Sequence, residues 1–140
     1  MVQLTSSIYF SMRAATKKID KTISDRLQSL GISIPQSFIL SNLLKADGLT
    51  LKEIGEKCLI DSSSMTVLID KLEKEGLVER RLDNRDRRAI RIFITDKGRQ
   101  TASEVVEIGS EVNNLLFDLI GEENQKEFLH GLSNIINHLG

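Results

Sequence analysis

A chain of 140 residues, 40% hydrophobic and 28% charged, suits one globular domain with a sizeable core and is too apolar for a disordered segment. Its one cysteine, Cys58, excludes an internal disulfide framework or thiolate zinc cluster; the longest charge-free stretch, Leu27 to Leu44, is broken by Gly31, Pro35 and several polar residues and cannot span a bilayer. The formal charge of −1 excludes nothing by itself, and without a basic segment ahead of an apolar run no export signal is expected, so a cytoplasmic protein is the default.

The first long pattern runs through Ile8, Met12, Ala15, Ile19, Ile23, Leu27 and Leu30. Steps of three and four place all seven on one stripe of a helix, roughly 35 Å long at ~1.5 Å per residue, with Gly31 as its stop. Ser33-Ile34-Pro35-Gln36 reads as a second helix start. Ser33 caps, Gln36 reaches back to it, and Pro35 sits where its missing N–H costs nothing. Phe38, Ile39, Leu43 and Leu44 are the expected buried face, ending near Gly48. Thr50-Leu51-Lys52-Glu53 is another capping box, opening a short helix with Leu51, Ile54 and Cys58 inward. Gly55 within it costs about 1 kcal/mol relative to Ala, which a close approach by a neighbouring helix would justify.

After Leu59-Ile60, Asp61 reads as an N-cap for a helix with Met65, Leu68, Ile69 and Leu72 on one face, ended by Gly76 in the left-handed position. Two short helices joined by about three residues form a helix-turn-helix signal. The period then changes from 3.6 to 2. Leu77–Arg81 and Ala89–Thr95 are expected strands, the second with Ile90, Ile92 and Ile94 alternating against Arg91 and Phe93. The polar run 82–88 between them is a hairpin tip. Thr95 caps a further helix with a stripe of Val105, Ile108, Val112, Leu115 and Leu119, broken by Gly121. Phe128, Leu129, Leu132, Ile135, Ile136 and Leu139 mark a last helix. No internal repeat, low-complexity tract or linker interrupts this order. The fold class expected is mainly α with a small β-hairpin wing (α+β), a winged helix-turn-helix between long terminal helices. Those terminal helices carry more apolar surface than the middle can cover, which implies a homodimer about a two-fold axis.

Charge follows the same division. Residues 1–78 hold 10 basic and 9 acidic side chains, residues 79–99 hold 8 and 4, and residues 100–140 hold 1 and 7. The basic segment is therefore mostly the hairpin, and a basic hairpin directly after a helix-turn-helix suits double-stranded DNA. Asp61, Ser62, Ser63, Ser64 and Thr66 fall in the first turns of the second short helix, where small polar groups can approach base edges in a major groove. Arg85, Arg87 and Arg88 at the tip suit phosphates or an A·T-rich minor groove, and Arg80 and Arg81 at the hairpin base would add backbone neutralisation.

The run Gly76-Leu77-Val78-Glu79-Arg80, through Asp83-Asn84-Arg85-Asp86-Arg87-Arg88, to Ile92-Phe93-Ile94-Thr95-Asp96-Lys97-Gly98 resembles the signature of the MarR (multiple antibiotic resistance regulator) family. Leu49-Thr50-Leu51-Lys52-Glu53-Ile54 and Leu68-Ile69-Asp70-Lys71-Leu72-Glu73 resemble it too, and length and helix order extend the likeness to the whole chain. The resemblance implies one domain over 1–140, with a dimerisation lobe of 1–32 and 100–140 and a DNA-binding lobe of about 33–99. It implies a homodimeric transcriptional repressor on a pseudo-palindromic operator, with Arg88 entering the minor groove and Asp86 holding that guanidinium; the alternative for Asp86 is to cap the turn through the backbone. Ser62, Ser64 and Thr66 match its recognition-helix positions. Asn84 departs from the Pro of many members. Release by a small aromatic or phenolic ligand is also implied, in a cleft bordered here by Tyr9, Phe10, Met12, Arg13 and Phe38, with Arg13 able to receive a carboxylate.

Other chemistry has little to work with. Cys58 on an apolar helix face reads as core packing, and family members that sense oxidants carry their cysteine in the first helix, which has none here. His130 and His138 lack a companion ligand set, so no metal or cofactor is expected. No nucleophile–base pair, phosphate loop or paired carboxylates stand out, so the expected protein is not an enzyme. The alternatives are a winged-helix module that binds a protein and leaves DNA alone, and a metal- or thiol-responsive regulator of the same fold.

Overall fold

The structure, a computed structural model, describes residues 7–140, and its helix ends follow residues that can cap them. In chain order the elements are α1 (Ile8–Leu27), α2 (Ile34–Lys45), β1 (Leu49–Thr50), α3 (Leu51–Cys58) and α4 (Ser62–Lys74). The wing strands β2 (Val78–Leu82) and β3 (Ile90–Ile94) follow, then α5 (Asp96–Ile120) and α6 (Gln125–His138). Ser33 and Gln36 close the capping box at α2: the Ser33 N–H donates to Gln36 Oε1 at 2.9 Å and the Gln36 N–H to Ser33 Oγ at 3.3 Å. The first helical stripe reaches Leu30 as expected, but its last turn, Gln28–Leu30, tightens to 3-10 before Gly31 stops it at φ 68°.

α2 departs from expectation on one side. Gln36, Ile39, Leu40 and Leu43 recur at steps of three, one and three and are all buried, which rotates Phe38 to the opposite side of the helix, where it is 46% exposed. Leu40 takes the core position assigned to Phe38. The nearest neighbour of a Cβ at Gly55 is the α3–α4 turn, with Met65 Cγ of helix α4 behind it at 3.8 Å. A Cβ there would stand 3.1 Å from the Ile60 carbonyl oxygen, and the Ile60 N–H donates to the Gly55 carbonyl at 3.0 Å, so the glycine makes room for the α3–α4 turn. That turn also holds Leu59 in the left-handed region at φ 56°.

Ile54, Met65, Ile69, Leu72, Val78 and Ile92 join the α2 stripe in the core; each large aliphatic side chain buried this way contributes about 1.5–3 kcal/mol. The sheet has the order β1–β3–β2, all antiparallel. β1 was not expected: only two residues long, it pairs Leu49 with Ile92 and Thr50 with Arg91. In β2–β3 the facing pairs Val78–Ile94 and Arg80–Ile92 lie over the core, while the last pair on that face, Leu82–Ile90, runs past it and is exposed. Ile90 is thus not the inward residue its alternation suggested.

α5 begins where backbone meets backbone. Thr95 Oγ1 donates to the Gly76 carbonyl at 2.6 Å and accepts from the Gly98 N–H at 3.0 Å. A Cβ on Gly98 would overlap the Leu77 carbonyl oxygen, so only glycine fits there. Described residues up to Ile108 form one compact unit, and Gly109–Gly140 a second. Within the second unit Gly121 turns the chain at φ 91° and Gln125 Nε2 donates to the Phe117 carbonyl at 3.3 Å. Leu119, Phe128, Ile136 and Leu139 are exposed there, and Ile8 and Tyr9 are exposed at the start of α1. Among the described residues no helix is long and apolar enough to cross a membrane.

Candidate nucleic-acid interface

Burial of Met65, Ile69 and Leu72 fixes the rotation of α4 about its own axis. Asp61, Ser62, Ser63, Ser64 and Thr66 are consequently all exposed. Asp61 occupies the N-cap position, yet its carboxylate makes no cap hydrogen bond; only its carbonyl accepts, from the Ser64 and Met65 N–H groups. The free N–H groups and positive end of the helix dipole therefore face the same solvent as the three serines.

The wing tip is a closed loop. The Asp83 N–H donates to the Ala89 carbonyl and the Ala89 N–H to the Asp86 carbonyl, both at 3.0 Å. Asp83 Oδ1 accepts from the Arg85 N–H at 2.9 Å, and Asp86 Oδ1 from the Arg88 N–H at 3.0 Å. Asp86 therefore holds Arg88 by its backbone and not by its guanidinium, because the two-residue spacing closes a side-chain-to-backbone turn first. Arg85, Arg87 and Arg88 point their charge into solvent, and among the described residues their guanidinium groups have no ion-pair partner.

The arginines at the wing base behave differently. Arg80 Nη1 donates to Glu73 Oε1 at 2.6 Å, its Nη2 to Asp70, and its backbone N–H to Glu73 Oε2 at 3.0 Å. Those bonds, the backbone one foremost, hold the Glu73 carboxyl below the usual carboxylate range. Arg80 is thus a clamp between hairpin and α4, its charge already balanced by two carboxylates of the protein itself. Asp70 and Glu73 sit one turn apart on α4, which is why a single guanidinium reaches both. Arg81 pairs with Glu79 and lies over the Phe93 ring, 4.5 Å from the centroid, with its side chain mostly exposed.

Arg91, which the sequence reading left as a strand residue, is a second clamp. Its Nε donates to Asp83 Oδ2 and its Nη1 to the Gly48 carbonyl, each at 2.8 Å. Glu53 Oε1 stands 3.8 Å away. The Arg85 backbone N–H first, and then Arg91, hold the Asp83 carboxyl below its usual range. Periodicity could not have found either clamp, since each joins residues that only tertiary contact brings together. Four exposed α4 residues were not singled out in the sequence: Val67, Asp70, Lys71 and Lys74, of which Val67 and Lys71 continue the outward row begun by Ser63 and would have emerged by subtracting the apolar stripe.

Of the residues expected at a ligand cleft, Tyr9 and Arg13 meet. Arg13 Nη1 donates to Tyr9 Oη at 3.1 Å, and the guanidinium carbon lies 5.6 Å from the ring centroid. They share an open surface cavity of about 720 Å³ with Phe10, Met12 and other α1 residues; Phe38 is not among those lining it. Cys58 is buried and accepts a hydrogen bond from Asn42 Nδ2 at 3.3 Å, and burial pushes its thiol pKa up, which suits packing and not thiolate chemistry. His130 and His138 are exposed, and among the described residues no group of three metal-ligating side chains gathers.

Residues 32–90 match the sequence model of the MarR family. The chain is 29% identical over 128 residues to the HTH-type transcriptional repressor MdtR of Bacillus subtilis, covering 91% of this chain and 83% of that protein. The fold is shared with the S. aureus MepR–DNA complex, at a TM-score of 0.88 and 21% identity over 95% of this chain and 98% of that one. It is shared too with BpsR of Bordetella bronchiseptica, whose DNA binding is regulated by 6-hydroxynicotinic acid, at a TM-score of 0.90 and 16% identity over 100% and 99% of the two chains.

Proposed function

We propose that this chain is a MarR-type protein: a cytoplasmic, sequence-specific regulator of transcription that binds double-stranded DNA as a homodimer. It acts by binding and not by catalysis. The start of α4 enters the major groove, where Ser62, Ser63, Ser64 and Thr66 meet base edges and Asp61 accepts from a cytosine amino group. The wing tip follows the flanking backbone and minor groove with Arg85, Arg87 and Arg88. The DNA-binding lobe is about 33–99. A second copy covers the exposed apolar residues at the start of α1 and, separately, those of α6, giving two wings on a pseudo-palindrome. A small aromatic acid, with its carboxylate on Arg13 and its ring beside Tyr9, releases the duplex.

The observation that supports this reading best is the sorting of charge at the wing. Arg80 and Arg91 are satisfied internally, while three guanidinium groups are held out on a tip whose backbone is fixed. A tip built only for solubility needs no such fixing. Fluorescence anisotropy on duplex from the region upstream of the protein's own gene tests it. Binding falls steeply with salt as counterions are released, and Arg88→Ala weakens it by about 1–3 kcal/mol. Equal binding by Arg88→Ala and the parent would remove the wing assignment. Sedimentation showing single copies at micromolar concentration would remove the dimer.

A further inference from the structure

α4 presents to solvent a face that the polar residues of its first turn do not describe. At ~100° per residue, Val67 lies roughly 170° from the mean direction of the buried Met65, Ile69 and Leu72. It is 68% exposed. Ser63 stands one turn before it and Lys71 one turn after, both exposed, so the three form one outward row: a small hydroxyl, a branched apolar group, a cation. Asp70, the nearest acid on this side, has its carboxylate drawn to Arg80 at the hairpin base. A β-branched residue is a poorer helix former than alanine, and here it gains no burial in return.

In a major groove the one apolar group on any base edge is the C5 methyl of thymine. A valine centred on the outward row, with a cation one turn on for the phosphate backbone, is complementary to that methyl and to no other feature of the groove. We propose that Val67 is a specificity-determining residue that reads a thymine methyl in each half of the bound site. This inference rests on the DNA-binding reading above.

The test begins with duplexes that the wild-type protein recovers from a random-sequence pool. Each thymidine in the recovered consensus is replaced in turn by deoxyuridine, which removes only the methyl group. Wild type loses affinity roughly fourfold per half-site at one symmetric position, the value of one methyl taken from water. Val67→Ala binds the thymidine duplex about as weakly as wild type binds the uracil one, and no longer distinguishes the two. Val67→Thr, which keeps one methyl, retains part of the distinction. Circular dichroism and urea unfolding verify that the variants fold alike. A uracil penalty that persists in Val67→Ala, or a consensus with no methyl-sensitive thymine, overturns the assignment. If such duplexes still depend on Arg88, only Val67 is lost; if the pool yields no bound duplex at all, the DNA-binding reading falls with it.

Discussion

At the root of the wing, Arg80 and Arg91 end among acceptors of the protein itself; at its tip, Arg85, Arg87 and Arg88 end in solvent. The five residues lie within twelve positions of one another and are indistinguishable by composition. What separates them is reach. A strand residue facing α4 or the loop before α3 finds carboxylates and carbonyls at hydrogen-bond distance. A residue in a loop closed by its own aspartates finds none. Charge counted along a sequence therefore overstates the charge available to a partner, and the surplus in 79–99 resolves into a scaffold portion and a free portion.

The comparison breaks most severely where the root meets α5. Gly98→Ala forces its new methyl into the Leu77 carbonyl and is expected to destabilise the fold by about 3 kcal/mol or more, read as a lowered urea midpoint. The tip should respond in the opposite way. Replacing Arg85 and Arg87 together by alanine leaves the urea midpoint unchanged and reduces the salt dependence of DNA binding by about two log–log slope units.

Arg80→Met sharpens the contrast from the other side. Stability falls by about 1 kcal/mol, since the pairs are partly exposed, while the salt slope of binding stays that of the parent. Acid then erases that difference. Glu73 titrates below its usual range when folded, so its contribution is complete above about pH 5 and is lost as pH falls through the lowered value. Wild type and Arg80→Met should accordingly draw together in urea midpoint as pH falls through that lowered value. The smallest effect belongs to the α3–α4 turn. Leu59→Gly relieves a left-handed backbone on a side chain that is 93% exposed, and raises stability by at most about 1 kcal/mol.

Legibility from sequence tracked the range of the interaction. Ser33 with Gln36, Thr50 with Glu53, Gly31 and Gly76 all act within four residues of themselves, and each was readable from its neighbours. The helix-turn-helix and its basic hairpin followed from the change of period. β1 was not readable, because two residues carry no period and their partners lie more than forty positions on. Phe38 was misplaced because a helix with apolar residues on two sides does not declare which side is covered. The choice between the two readings of Asp86, and the internal partners of Arg80, stayed hidden for a related reason: a charged side chain in a sequence does not show whether its partner is a backbone, a neighbour or a visitor. The exposure of the α4 start and of the wing-tip arginines was nevertheless legible, with Val67 and Lys71 among the exposed α4 residues that were not.

The backbone bonds joining Asp83, Asp86 and Ala89 pinch the hairpin shut at its neck, and the anchors to the rest of the fold all sit below that pinch. The four other residues it encloses, Asn84, Arg85, Arg87 and Arg88, form an exchangeable fingertip. Charge there can be changed, or grafted from a relative, with the palm beneath left undisturbed, so the strength of the grip on a duplex can be retuned without renegotiating how the protein folds.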